Sequence, residues 1–171
     1  MTISEVDLKF LELSNQARRE SHDPHRQVGA VVVSPDGHLL ATGSNKPPVS
    51  LGYALEDSLE AIAQDPTWKY FHIEHAERNA INDAHNRGVS LEGGTMFCTL
   101  FPCADCARAI VAAGIVRLVV PSGYGSSLRD SKWSDHYRYA KEIFDRAGVA
   151  LDTADFTLTE VEILPNNNRS L

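Results

Sequence analysis

No stretch of this 171-residue chain approaches the ~20 consecutive apolar residues that a membrane span needs, so no membrane partner is expected. Cysteine is scarce. Three residues, an odd number with two of them in one CxxC, do not make the framework of a disulfide-stapled secreted domain. The opening MTISEVDLKFLELSNQARRE has neither the continuous apolar stretch nor the cleavage site of a signal peptide, and the cytoplasm is the expected compartment. Basic residues are outnumbered, 16 against 23 acidic for a net charge of −7, which removes the broad basic footprint of a protein that grips long nucleic acid. A small molecule is the expected partner, anionic if a few Lys or Arg gather around it. Internal repeats, low-complexity tracts and interdomain linkers are also missing, so residues 1–171 read as one domain with a polar tail over about 165–171. A chain of this length buries a substantial core unaided. A metal site in it points to chemistry rather than to folding.

What is present alternates between helical and extended patterns. The first segment reads as an amphipathic helix with Val6, Phe10, Leu13 and Ala17 at helical spacing. VGAVVVS from Val28 is the β-branched run of a strand buried on both faces, and the turn Ser34-Pro35-Asp36-Gly37 sends HLLATGSN back as its hairpin partner. Lys46-Pro47-Pro48 stops that strand, and EDSLEAIA suggests a short helix. From His75 the small or apolar Ala76, Ala80, Ile81 and Ala84 predict a helix closed by Gly88. TMFCTL, then CADCARAIVAAG opened by Pro102, then IVRLVVP give strand, helix, strand, a βαβ unit. A last helix over about Asp135 to Ala147 feeds a fifth strand in VALDTADF.

The chemistry lies at two helix starts. Zinc prefers thiolate and imidazole in a tetrahedron, and Cys103 and Cys106, three positions apart where a helix begins, can both face one ion. The unpaired N–H groups of that helix end favour the thiolates. Cys98 sits mid-strand and reads as a buried structural thiol. A histidine at the start of another helix is the convenient third ligand, and HIEHAERNA offers two, each in an HxE pattern: His72 with Glu74, and His75 with Glu77. His75 begins the helical apolar period, whereas His72 precedes it. Three protein ligands leave the fourth position for water, as in catalytic rather than structural zinc. On that first turn Glu77 reaches the water side of the ion, where a carboxylate moves protons.

His75-Ala76-Glu77 with Pro102-Cys103-Ala104-Asp105-Cys106 is the H-x-E and P-C-x-x-C signature of zinc deaminases. The wider context resembles the zinc-dependent cytidine/deoxycytidylate deaminase superfamily, and the deoxycytidylate (dCMP) deaminases in particular. HAERNAI, LFPCADCARAIVAAGI, QVGAVVV and Gly43-Ser44-Asn45 are similar to that family's HAExNAI, LFPCxxCAxxIxxAGI, VGAxIV and GxNGxP, over roughly residues 8 to 150. The resemblance implies a three-layer α/β/α sandwich with a mixed five-stranded sheet, Zn2+ held by His75, Cys103 and Cys106, and Glu77 as proton shuttle. It implies further that Asn45 touches the sugar or the base edge, that the backbone around Ala76 frames the amidine, and that the protein is a homo-oligomer. The implied reaction is hydrolytic: water attacks the ring carbon bearing the exocyclic amine and ammonia leaves, dCMP giving dUMP.

Departures from the pattern concentrate charge near the site. Lys46 stands where the family usually has Gly, Glu74 precedes the HAE, and Arg78 follows it. Arg26 and Lys46 are candidates for a 5′-phosphate, Arg78 for an i,i+4 pair with Glu74, and Tyr124, Trp133 and Tyr137 for an aromatic lid, with packing or a subunit interface the favoured reading for Trp133 and Tyr137. Control by a nucleotide triphosphate, known in the family, is not expected beside Lys46. The alternatives are deamination of another free nucleoside, base or aminated heterocycle, then a tRNA or single-strand editor, and, from a different class, a non-catalytic structural zinc module. That last reading requires a fourth protein ligand and gives Glu77 no task.

Overall fold

A computed structural model describes residues 3–123 and 133–159. The valine-rich run Gly29–Val33 forms β1, buried along its whole length. It lies inside a five-stranded sheet of order β2-β1-β3-β4-β5, with β2 at Leu39–Ser44, β3 at Thr95–Cys98, β4 at Arg117–Pro121 and β5 at Ala150–Ala154. The β1–β2 and β1–β3 pairs are antiparallel, and the β3–β4 and β4–β5 pairs are parallel. A helical crossover supplies each parallel step, as chain reversal requires. Residues Ala104–Ala112 form α5 between β3 and β4, and Ser134–Ala147 form α6 between β4 and β5. The sheet is therefore mixed, with helices on both faces, and the expected three-layer class holds.

One face carries α1, Glu5–Ala17, whose start is fixed by a capping box between Ser4 and Asp7. Of the expected apolar stripe, Phe10 packs on the core but Val6 and Leu13 do not. Val6 is 53 % and Leu13 37 % exposed, while Asp7, Leu11, Ser14 and Asn15 face the sheet. Helical spacing fits either stripe; polar anchoring decides between them. Arg117 of β4 reaches Asp7 at 2.7 Å and Asp152 of β5 at 2.8 Å, so these buried charges have partners, without which burial would be costly. Phe10 packs its ring 5.3 Å from that of Phe97. Helix and strand touch directly at Gly29, where a Cβ would stand 2.0 Å from the Ser14 carbonyl oxygen.

The other face carries α4, Ala76–Asn86, together with α5 and α6. Ala76, Ala80, Ala84, Ala107 and Ile110 join Val32, Met96, Leu118 and Phe144 in the main core. Two smaller helices, α2 at Leu55–Gln64 and α3 at Lys69–His72, occupy the connection before α4. The first matches the expected short helix; the second has only four residues, too few to leave a periodic signal. Small residues let α4 lie close on β2: a Cβ at Gly43 would meet the Ala76 carbonyl oxygen at 2.2 Å and the Ala80 nitrogen at 2.4 Å. Both are backbone atoms and cannot swing aside. Gly43→Ala is therefore expected to cost about 3 kcal/mol, the upper part of the overpacking range, and to lower the melting temperature by roughly 6–12 °C for a chain of this size. A thermal melt within 2 °C of wild type would show that α4 can shift freely.

Candidate active site

His75 occupies the N-cap position of α4, Cys103 that of α5, and Cys106 the first turn of α5. Both helices pack on one face of the sheet, so their N-terminal ends bring the three side chains together. The Nδ1 of His75 lies 3.4 Å from Cys106 Sγ and 3.6 Å from Cys103 Sγ, and all the ligand atoms fall within 4.8 Å of one another. A tetrahedral zinc with Zn–S of ~2.3 Å and Zn–N of ~2.0–2.1 Å sets nitrogen and sulfur about 3.6 Å apart. The donor set fits that ion in element and in spacing. Among the described residues no fourth His, Cys, Asp or Glu joins the group, which leaves a position open.

Without metal the three groups share their protons unevenly. The Cys106 hydrogen bond, against the effect of burial, pulls the Cys103 thiol down to about 4. The bond from that thiolate in turn lifts His75 to about 9, and Cys106 is pushed far up as the donor of its pair with Cys103 and by burial. Metal must displace the protons on His75 and Cys106, so binding strengthens as pH rises. Glu77, in the first turn of α4, is 4 % exposed, and burial raises its carboxyl above the ordinary range. It lines a cavity of about 860 Å³ together with His75, Ala76 and Cys103. Cys98 is buried in the core, and burial raises its thiol strongly, as befits a packing residue.

The two halves of HIEHAERNA separate cleanly. His72 turns away from the cavity and stacks on Trp68, centroids 4.2 Å apart and planes within 3°, its Nδ1 2.9 Å from the Trp68 carbonyl oxygen. The Glu74 carboxylate accepts the His75 backbone N–H at 2.7 Å and Arg78 Nε at 2.7 Å, so the expected Glu74–Arg78 pair forms and also steadies the residue that starts α4. Asn79 adds a tie, donating to the carbonyls of Ser44 and Lys46 at 2.8 and 3.0 Å.

Of the expected substrate contacts, Asn45, Ala76 and Arg26 line the cavity. Asn45 also holds the wall in shape: its Oδ1 accepts the Val28 N–H at 2.7 Å and its Nδ2 donates to the Arg26 carbonyl at 2.8 Å. Lys46 lies apart from these three. It lines a separate groove beside β2 and pairs with Glu20 at 2.5 Å. Tyr124 lies outside the described residues. Tyr137 packs edge-on against Phe101 at 5.5 Å, as read, though both also face the cavity. Trp133, weighed as a lid, and His136 line the cavity as well; sequence reasoning missed His136, for which the i,i+3 spacing from Trp133 at the start of α6 was the available signal. So too with Lys69 and Asp23, an ion pair of 2.8 Å in the wall.

Comparison with known proteins agrees with this geometry. The chain is 31 % identical over 147 residues to an uncharacterized deaminase from the luxG 3′ region of Aliivibrio fischeri, covering 86 % of this chain and 92 % of that one. It is 32 % identical over 143 residues to the deoxycytidylate deaminase of Pongo abelii, covering 82 % and 74 %. Its fold is like that of the dCMP deaminase of cyanophage S-TIM5, solved with dCMP and dUMP, at a TM-score of 0.65 and 24 % identity over 90 % of this chain and all of that one. Residues 4–122 match the family described as the cytidine and deoxycytidylate deaminase zinc-binding region, with both helix starts and Glu77 inside the match, and the chain belongs to that family.

Proposed function

We propose that this chain is a zinc-dependent hydrolytic deaminase of a free aminated pyrimidine nucleotide, dCMP first among them, with His75, Cys103 and Cys106 as the metal ligands and Glu77 as the proton carrier. One observation carries the reading: a three-ligand site with an open position stands beside a buried carboxylate that lines a cavity of about 860 Å³, within the size range of small-molecule sites. When bound, zinc lowers the pKa of a coordinated water enough to furnish a nucleophile near neutral pH. Glu77 would take a proton from the attacking water and pass it to the ring nitrogen next to the amine-bearing carbon. It would then take the remaining proton of the added hydroxyl and give it to the departing amine, so that ammonia leaves as the water oxygen becomes the ring carbonyl. The raised carboxyl of Glu77 suits a group that both takes and gives protons. First-turn N–H groups of α4 lack intrahelical acceptors, and those around Ala76 are placed to frame the amidine.

Support for dCMP comes from the Pongo abelii relative's name and from the nucleotides in the S-TIM5 structure. Arg26 is the residue we assign to the phosphate in place of Lys46. A second reading, another free aminated ring handled by the same residues, is favoured by the charges of Glu74 and Arg78 beside the metal ligand. The protein is further read as a single-domain, cytoplasmic homo-oligomer. Exposed Val6, Leu13, Leu39 and Val49 are the apolar surface a second copy would cover, and among the described residues no helix is long and apolar enough to cross a membrane. Purified protein carrying one zinc per chain is expected to release ammonia fastest from dCMP in a panel with dCTP, cytidine, deoxycytidine, cytosine, adenine and guanine. Release from none of them would end the deaminase reading; a different favourite would end the dCMP assignment.

A further inference from the structure

An enclosed ion pair in the cavity wall has no task in the chemistry assigned so far. Lys69, at the start of α3, donates from Nζ to the Asp23 carboxylate at 2.8 Å, with 15 % of the lysine and 10 % of the aspartate side chain exposed. Among the described residues, the only other ion pairs with both side chains so enclosed are those of Arg117 with Asp7 and Asp152. Those two tie elements of the fold together; Lys69 and Asp23 line the cavity with the metal trio. Enclosing an ion pair adds little stability, because each charge gives up its hydration, so a pair kept at a binding cavity calls for a role in binding.

The turn that meets Lys69 is pinned. Asp23 Oδ1 accepts the His25 N–H at 2.9 Å, Gln27 Nε2 donates to the Asp23 carbonyl at 3.0 Å, and Asn45 Nδ2 holds the Arg26 carbonyl. Asp23 thus shares a fixed turn with Arg26, the residue assigned above to the substrate phosphate. Lys69 reaches that turn from the excursion over residues 47–73, which the antiparallel bridge between Lys46 and Glu74 closes at its base. An ammonium has three donors. One goes to Asp23, and Nζ also stands 5.6 Å from the centre of the Tyr70 ring; the other two find no hydrogen-bond acceptor among the described residues. Arg78, the remaining Lys or Arg of the wall, directs Nε and Nη2 to Glu74. A phosphate with several charged oxygens is matched better by two cations than by one, and the donors of a lysine rotate to meet the oxygen that arrives. We propose that Lys69 determines specificity for a 5′-phosphorylated substrate in the deaminase reading above, on which this rests: a donor that Asp23 leaves over takes a phosphate oxygen beside Arg26.

Zinc-loaded full-length wild type, Lys69→Met, Asp23→Asn and the double variant would be compared on dCMP and deoxycytidine. Lys69→Met is expected to raise the KM for dCMP roughly 10- to 100-fold, the worth of one charge-assisted hydrogen bond, and to raise that for deoxycytidine at least fivefold less. Asp23→Asn keeps an acceptor for the His25 N–H and removes a negative charge from beside the phosphate, so its KM for dCMP is expected to fall about two- to fivefold. The double variant separates binding from structure, because it leaves no enclosed charge unpaired. It is expected to stay within about threefold of Lys69→Met on dCMP. A KM for dCMP within twofold of wild type in Lys69→Met, or an equal rise for deoxycytidine, overturns the phosphate contact. So does a double variant restored to the wild-type KM, or an Asp23→Asn variant as impaired as Lys69→Met, since either makes the pair a structural tie. Should wild type turn over neither substrate, the dCMP reading falls by itself, and calorimetry with dUMP still decides on Lys69: no binding by wild type, or equal affinity in Lys69→Met, overturns its role.

Discussion

Glu77→Gln is expected to keep one zinc per chain and to lose turnover, with kcat lowered roughly 10³- to 10⁴-fold, the upper range for a positioned acid–base group. Three observations set this combination apart from a merely damaged site. The carboxylate is outside the ligand group formed by His75, Cys103 and Cys106, so its loss removes no metal bond. It is also buried to within 4 %, and burial holds its carboxyl above the ordinary range. An amide of the same shape then fills the same space without the cost of a buried charge. Melting temperature is accordingly expected to stay level or rise while activity collapses. A glutamine removes proton transfer and leaves most packing, so KM for dCMP should change far less than kcat. Zinc content by metal analysis, turnover by ammonia release and a thermal melt on one preparation check all three. Retained turnover would remove the proton-carrier role, and lost zinc would make Glu77 a ligand.

How far the chain could be read without coordinates differs by kind of feature. The strands and the main helices were legible because strong local signals agree: the valine run of β1, the glycines closing helices, and proline ahead of the CxxC. The metal trio was legible because its ligands sit at two helix starts, where a pattern of types and spacings survives in one dimension. Facing was not. The buried stripe of α1 depends on Arg117, 110 positions from Asp7 in the chain, and no local period carries that. The same holds where β2 ends: Asn45 lines the cavity and Lys46 a separate groove, a parting of neighbours that no local pattern carries. The wall formed by Trp133 and His136 needed the crossover between β4 and β5 to bring α6 beside α4, a fact of topology rather than of motif.

The doubled HxE gives the sharpest remaining contrast, between His75→Ala and His72→Ala. Removing the imidazole of His75 leaves two thiols, and two ligands cannot close a tetrahedral site. Zinc after dialysis at neutral pH is expected to fall from one per chain to near none, and turnover with it. Stability falls too, since a metal held at 1,000 times its Kd contributes about 4 kcal/mol to the folded state, roughly 8–16 °C of melting temperature in a chain of this size. Wild type stripped by a chelator should melt with His75→Ala, which ties the drop to the ion and not to the side chain; stripping should become easier as pH falls, because protons compete for His75 and Cys106. His72→Ala loses a stacked ring and one hydrogen bond to the Trp68 carbonyl, about 1 kcal/mol. It should keep its zinc and its kcat, because His72 contributes neither to the ligand group nor to the cavity wall. The reverse outcome, metal lost with His72 and retained without His75, would move the site to the other copy and leave Glu77 without a role. What separates the copies is three residues of chain: far enough to put one histidine at the end of α3 against a tryptophan, and the next at the start of α4 facing two thiols.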